Sequence, residues 1–427
     1  MSQASPSGRL PFVDRRPGAT AAAAAATARL LTLAVGFATN LWLGVRLRHV
    51  PVVDTGMRAF RHHPLGFIES AWLHWDAVWF INIVEHGYTP RAAAFFPLYP
   101  ATIWALTAVV HRPATWGILV SLACFAGALA ILYQLVRDEF DARTAVWVVA
   151  LLSFAPTSFY FQAAYSESLF LLLTVASFAA ARRGRWLLAG TAGLLAALTR
   201  SSGVLLLAPL ALMWLEQVRG RPVVLPGAAG SMPLLGERRA RPWSLATLLL
   251  IPAGVAIYAA YDQRLFGRAL QFVTAEHDWH RRFRLPNVAV YKGAVWAWRS
   301  VRAIAADPSL WFRVERLPFR DQWFVLGDLT AFLALLFAVA LLVVCWRRLP
   351  AAYTVFAIVS LLLPLCYPSP ETPLLSLPRF VLVDFPLFVA LALLVVRRPV
   401  ARWALLAFFG AGLALLVTLF ANGMWVA

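Results

Sequence analysis

Lysine is all but missing from this chain: Lys292 is its single example, and only 20 acidic residues stand against 38 basic ones. Charge of either sign is scarce, at 14% of 427 positions, while 61% are hydrophobic. A water-soluble fold of this size could not hide that much apolar side chain in one core, so the membrane is the solvent. The formal charge of +18 rests almost wholly on arginine. It belongs at loops facing anionic lipid, which makes nucleic acid an unsuitable partner. The three cysteines, Cys124, Cys345 and Cys366, lie in or beside apolar runs with no CxxC spacing, and imply neither a disulfide framework nor a metal site. No GxGxxG, Walker loop, HExxH or GxSxG stands in a suitable context, so nucleotide hydrolysis, zinc chemistry and serine hydrolysis lack support. The alanine- and arginine-rich, lysine-poor usage fits a GC-rich bacterial genome.

What is present is a succession of apolar runs. A helical crossing needs about 20 mostly apolar residues, and about eleven runs approach that length, from Thr20–Leu47 through Ala145–Phe161 and Phe380–Val396 to Ala401–Asn422. Residues 1–19 are polar, with no clear cleavage site before the first run. They read as a disordered cytoplasmic segment, followed by a single all-α, polytopic membrane domain over 20–427. Arginine clusters at Arg15-Arg16, Arg182-Arg183, Arg238-Arg239, Arg347-Arg348 and Arg397-Arg398 mark cytoplasmic loops, including one at 216–242. The N-terminus is then inside and the C-terminus outside, which demands an odd number of crossings. Phe95 to Val110 is accordingly expected to be a re-entrant or interfacial helix, tolerated where protein or a water-filled cavity surrounds it. Segments 48–94, 262–322 and 366–379 fall outside. Trp296, Trp298, Trp311 and Trp323 recur through the middle one, as aromatic residues do at headgroup level.

The first outer segment carries His74-Trp75-Asp76 and ends at Glu85-His86-Gly87-Tyr88. Helical spacing puts Asp76 on one side with Trp79, Phe80 and Ile83, where partial desolvation suits a carboxylate to act as a general base. The same spacing equally describes an aspartate N-cap on an amphipathic helix. His86 before Gly87 suits a helix end. In Tyr165-Ser166-Glu167-Ser168 a serine is placed to cap the next helix, with Glu167 favoured by the dipole; Glu167 is also on the Asp76 side and free to serve a cavity. Arg200 and Arg379 sit at outer helix ends, against the positive-inside trend, so each needs a partner. A phosphate fits the guanidinium fork; the alternatives are snorkelling, or pairing with Asp384 or Glu371.

The string from His74-Trp75-Asp76 to Gly87-Tyr88, followed by Phe95-Phe96-Pro97-Leu98-Tyr99-Pro100, resembles the PIG-V family, the GPI mannosyltransferase II relatives found also in bacteria. Ala155-Pro156-Thr157-Ser158, Tyr165-Ser166-Glu167-Ser168, Leu198-Thr199-Arg200 and Leu377-Pro378-Arg379-Phe380 follow in the family's order. His74 stands where that family more often has arginine. The resemblance implies a GT-C glycosyltransferase fold and an inverting transfer of mannose from a polyprenyl-phosphate donor to a glycan or glycolipid acceptor at the outer face of the cell membrane. It makes Asp76 the base and Arg379 with Arg200 the donor-phosphate ligands. Trp75, Glu85, His86, Tyr99, Tyr165 and Glu167 would orient sugar or acceptor. No cofactor or metal is expected, since the donor arrives activated and is itself a substrate. A lipid-linked-sugar transporter or flippase, and a non-catalytic envelope-assembly subunit, are the rival classes.

Overall fold

The computed structural model describes residues 16–44, 64–227, 240–310 and 327–426. Every regular element among them is helical. Parts of the expected loops 48–94, 216–242 and 262–322, and most of the 1–19 segment, lie outside the described residues.

Helix α1 (Pro17–Gly44) opens slightly ahead of the expected Thr20, because a proline with its preset φ is well placed in a first turn. After α2 (Pro64–Glu69) and a 3₁₀ turn at Ser70–Trp72 come α3 (Asp76–His86) and α4 (Leu98–Thr107). At 10 residues α4 is too short to cross a bilayer. The long α5 (Pro113–Glu139) leads to α6 (Ala142–Phe154), which stops well before the expected Phe161. Pro156 is the reason: the residue before a proline is driven out of the α region, and Ala155 is extended at ψ 139°. The carbonyls left open there are met from α1, where Arg29 donates to the oxygens of Ser153 (2.8 Å) and Ser158 (2.7 Å) and to the Ser158 hydroxyl (2.8 Å).

Next come α7 (Glu167–Arg182), α8 (Trp186–Thr199), α9 (Leu207–Arg219) and α10 (Leu250–Phe266). Then follow α11 (Gln271–Asp278), α12 (Pro286–Ala306), α13 (Asp328–Arg348) and α14 (Ala351–Cys366). The run expected as one crossing over Phe380–Val396 is instead two helices, α15 (Leu377–Val383) and α16 (Phe385–Val395), bent by 71° at Asp384. Pro386 has no N–H to carry the hydrogen-bond ladder through. The last element is α17 (Pro399–Ala421).

Six described helices are long and apolar enough to cross a membrane, or seven if the bent pair is one span; α6, α8 and α14 are apolar but shorter. The sequence reading of about eleven crossings ran several windows through such breaks and short helices. The chain is a multi-pass membrane protein whose helices approach closely: a Cβ added at Gly190 of α8 would lie 2.2 Å from the Thr247 carbonyl oxygen, and one at Gly254 of α10 2.5 Å from that of Leu194. Small residues at helix contacts do this work in membranes, where apolar surface alone gives no drive to associate.

Chain direction sorts the two ends of the bundle. Helices α7 and α13 begin, and α8 and α14 end, at one end; their other ends carry Arg182-Arg183, Arg185 and Arg347-Arg348. At 16 and 14 residues, α7 and α8 reach only about 21–24 Å. A hydrocarbon core is about 30 Å thick, so their far ends leave room for a sunken floor.

Candidate active site

That floor is a cavity of about 710 Å³. Asp76, Trp75 and Phe80 come to it from α3 and its approach, Arg200 from the end of α8, and Arg379 from α15. Trp279, Trp296 and Trp425 supply aromatic wall.

At its base four charges are interlocked. Arg379 Nη2 is 2.7 Å from Asp76 Oδ2 and 2.5 Å from Glu167 Oε1, while its Nε donates to the same Glu167 oxygen at 2.8 Å. Arg200 Nη1 reaches that oxygen at 2.6 Å and the Ser166 hydroxyl at 3.4 Å. Glu167 and Arg379 are 212 positions apart in sequence, so this contact exists only in the fold. Glu167 is wholly buried and Arg379 nearly so, and buried charges are tolerable only when paired and hydrogen-bonded. The Arg379 guanidinium also lies over the rings of Tyr165 (4.7 Å) and Tyr160 (5.2 Å). Burial, reinforced by the neighbouring Asp76 carboxylate, pushes the Tyr165 phenol well above its usual range. It therefore stays neutral and donates to the His74 carbonyl oxygen at 2.9 Å.

Asp76 is not the N-cap. It is the first residue of α3, Trp75 occupies the cap position without a side-chain cap hydrogen bond, and the carboxylate turns to Arg379 instead. Nor do the serines cap α7: Ser166 makes no capping bond, and the Ser168 hydroxyl donates to the Phe161 oxygen. The alternative of pairing with Asp384 or Glu371 is not what the fold shows: Arg379 meets Asp76 and Glu167, and Arg200 shares the latter. Trp75 lines the cavity; Glu85 and His86 are exposed at the end of α3 and are not among its lining residues. Tyr99 is fully buried, its hydroxyl bonded to the Gly117 oxygen and Ser121 at 2.8 Å each, and it does not line the cavity. No group of three or more metal-ligating side chains occurs among the described residues.

The sequence reading missed how the loop before α3 is held. Trp75 has φ 59° and ψ −113°, a conformation costing on the order of 1–3 kcal/mol for a residue with a side chain. Its indole meets Trp425 edge-to-face at 4.9 Å, and the His74 ring meets Phe420 at 5.5 Å. The end of α17 and the segment after it thus clamp His74-Trp75. The other non-glycine residues with positive φ among those described are His280 and Ser376, and they line the same cavity.

Residues 65–213 match the family model described as mannosyltransferase (PIG-V). Over that stretch the chain is similar to PIG-V proteins. A GPI mannosyltransferase 2 of Drosophila melanogaster is 31% identical over 150 residues, covering 31% of this chain and 33% of that protein. A GPI alpha-1,6-mannosyltransferase 2 of Mus musculus is 32% identical over 145 residues, covering 30% and 29%. That of Schizosaccharomyces pombe, a GPI mannosyltransferase 2, is 28% identical over 151 residues, covering 31% and 32%. The chain therefore spans a third or less of the length of these curated relatives. No solved structure matches. The PIG-V-like stretch holds Asp76, Glu167 and Arg200, whereas Arg379 and Trp425 reach the cavity from beyond it.

Proposed function

We propose that this protein is an inverting mannosyltransferase that moves mannose from a polyprenyl-phosphate donor to a hydroxyl of a glycan or glycolipid acceptor. The observation that carries the reading is the Arg379 guanidinium lying between Asp76 and Glu167 at the base of the cavity. A carboxylate beside a paired arginine is what such a transfer needs. Asp76 accepts the proton of the acceptor hydroxyl, the oxygen bonds to the anomeric carbon, and the carbon–oxygen bond to phosphate breaks. The electron pair leaves with the lipid phosphate, whose charge Arg379 and Arg200 meet where it develops. Glu167 holds the two guanidinium groups in place, and tryptophan faces along the wall offer stacking surface for sugar rings. The arginine clusters at the opposite helix ends support an outward-facing cavity in the cell membrane, by the positive-inside trend.

The test incubates purified protein with polyprenyl-phosphate mannose and membrane extract, comparing the native chain with Asp76→Asn. Transfer by the native chain and its loss in the variant is the expected result. Transfer untouched by the substitution refutes the role of Asp76, and no transfer to any acceptor refutes the enzyme. The 71° break between α15 and α16 beside Arg379 favours a second reading, a lipid-linked-sugar transporter, since transporters build sites from discontinuous helices. Vesicle uptake or flipping without chemical change to the donor distinguishes it.

A further inference from the structure

Helix α12 (Pro286–Ala306) has 21 residues, long enough to cross a bilayer, yet it is not among the described helices apolar enough to do so. It is tied instead to the cavity end of the bundle. Just before it, the Arg284 N–H donates to the Cys366 oxygen at the close of α14 (2.9 Å). At its middle, Gly293 sits where an added Cβ would meet Leu374 Cδ1 at 2.5 Å. Trp296 lines the cavity together with Asp328, the first residue of α13.

Ala289, Gly293, Ala297 and Ser300 are the buried side of this helix. With a rotation of about 100° per residue, Val290 and Val301 lie about 75° to one side of that buried stripe, and Tyr291 and Trp298 about 155° round the same way. Arg302 is opposite the stripe, and Arg299 and Lys292 return about 105° on the other side, next to Trp296 and the cavity. The surface therefore passes in one sweep from aliphatic to aromatic to basic. Tyr291 and Trp298 are 71% and 63% exposed, far more than an aromatic ring keeps in water without cause. From Arg281 to Arg302 the sequence has six cations and no carboxylate. Among the described residues none of Lys292, Arg299 and Arg302 forms an ion pair.

We propose that α12 lies in the headgroup layer beside the cavity mouth and binds anionic phospholipid through Lys292, Arg299 and Arg302. The valines face the acyl chains, Tyr291 and Trp298 sit at the boundary, and the cations meet lipid phosphates on the side toward the cavity. This order, with apolar, aromatic and basic stripes at increasing height, is how an amphipathic helix settles at an interface. It is independent of the catalytic reading and needs only that the chain sits in a bilayer.

The whole 427-residue chain, reconstituted in phosphatidylcholine nanodiscs, is titrated with fluorescent phosphatidylglycerol or phosphatidylcholine, and binding is read by energy transfer from protein tryptophan. A preference for phosphatidylglycerol is expected. Replacing Lys292, Arg299 and Arg302 by glutamine lowers it about fivefold for each cation removed, while phosphatidylcholine binding stays the same. In the native chain the preference collapses between low salt and 0.5 M salt, because exposed charges are screened, a measurement that needs no variant. Millimolar inorganic phosphate leaves it intact, since the free ion lacks the apolar anchor. Equal binding of the two lipids by the native chain, an unchanged preference in the triple variant, or displacement by inorganic phosphate alone overturns the proposal.

Discussion

Replacing Asp76 by asparagine has two opposite effects, and together they test the site. The four interlocked groups, Asp76, Glu167, Arg200 and Arg379, sum to zero, so an incoming lipid phosphate finds both arginines already engaged. To bind, it must displace Asp76 from Arg379, the more yielding partner because Asp76 keeps 21% of its side chain exposed while Glu167 keeps none. Asparagine removes that competitor and leaves the cluster at +1. The pair is partly solvated, so its strength is discounted from that of a buried bridge to about 1.4 kcal/mol, which is a tenfold gain in affinity for phosphate. Loss of the base meanwhile lowers turnover by about 10²–10⁴-fold. The affinity is measured with a short-chain isoprenyl phosphate by calorimetry in detergent, beside the transfer assay. Weaker or unchanged phosphate binding in Asp76→Asn refutes the assignment of Arg379 as phosphate ligand. Retained turnover refutes the assignment of the base.

Glu167→Gln strands two guanidinium groups at the cavity base with Asp76 alone against them, and breaking a buried pair costs about 3–5 kcal/mol; a clearly lowered unfolding midpoint in detergent is expected, against no shift if the cluster is solvated. Trp425→Ala frees the Trp75 side of the clamp, so kcat falls about tenfold or more from misplacement of Asp76 while donor KM holds, and Trp425→Phe restores most of it; a rise in KM alone makes Trp425 merely cavity wall. Arg29→Met removes three charge-assisted bonds to the Ser153–Ser158 break and destabilises the chain by about 3 kcal/mol, read by thermal unfolding; an unchanged midpoint means that water satisfies those carbonyls.

The sequence carried the membrane environment in its composition and the placement of Asp76, Glu167, Arg200 and Arg379 at one end of the bundle in its arginine clusters. These are local properties. It did not carry the protein partner of each charge: for Arg379 a phosphate, snorkelling and pairing with Asp384 or Glu371 all stand open in the sequence, whereas Glu167, which it meets in the fold, is 212 positions away. Helix ends were legible where proline or glycine acts alone, as at Gly87 with φ 81°. They were not at Phe154 or Asp384, where apolar residues continue on both sides and hydropathy windows run straight through. The Phe420 and Trp425 clamp left no pattern beyond two aromatics near the chain's end. A strained φ at Trp75 leaves none at all, since it depends on what packs around the residue and not on the residue itself.

Trp75, His280 and Ser376 give that strain a further meaning. Each holds its backbone where a side chain is unwelcome, and all three line the cavity, so among the described residues the backbone least at ease is gathered at the cavity. Anyone hardening this protein for purification would find glycine at these positions attractive, because it relaxes the backbone by on the order of 1 kcal/mol or more each. The hardened protein would then have a cavity rim free to drift. Thermal robustness and a fixed cavity rim are set against one another at the same residues, and a screen for stability alone selects against the rigidity that the bent loop before α3 gives to the position of Asp76.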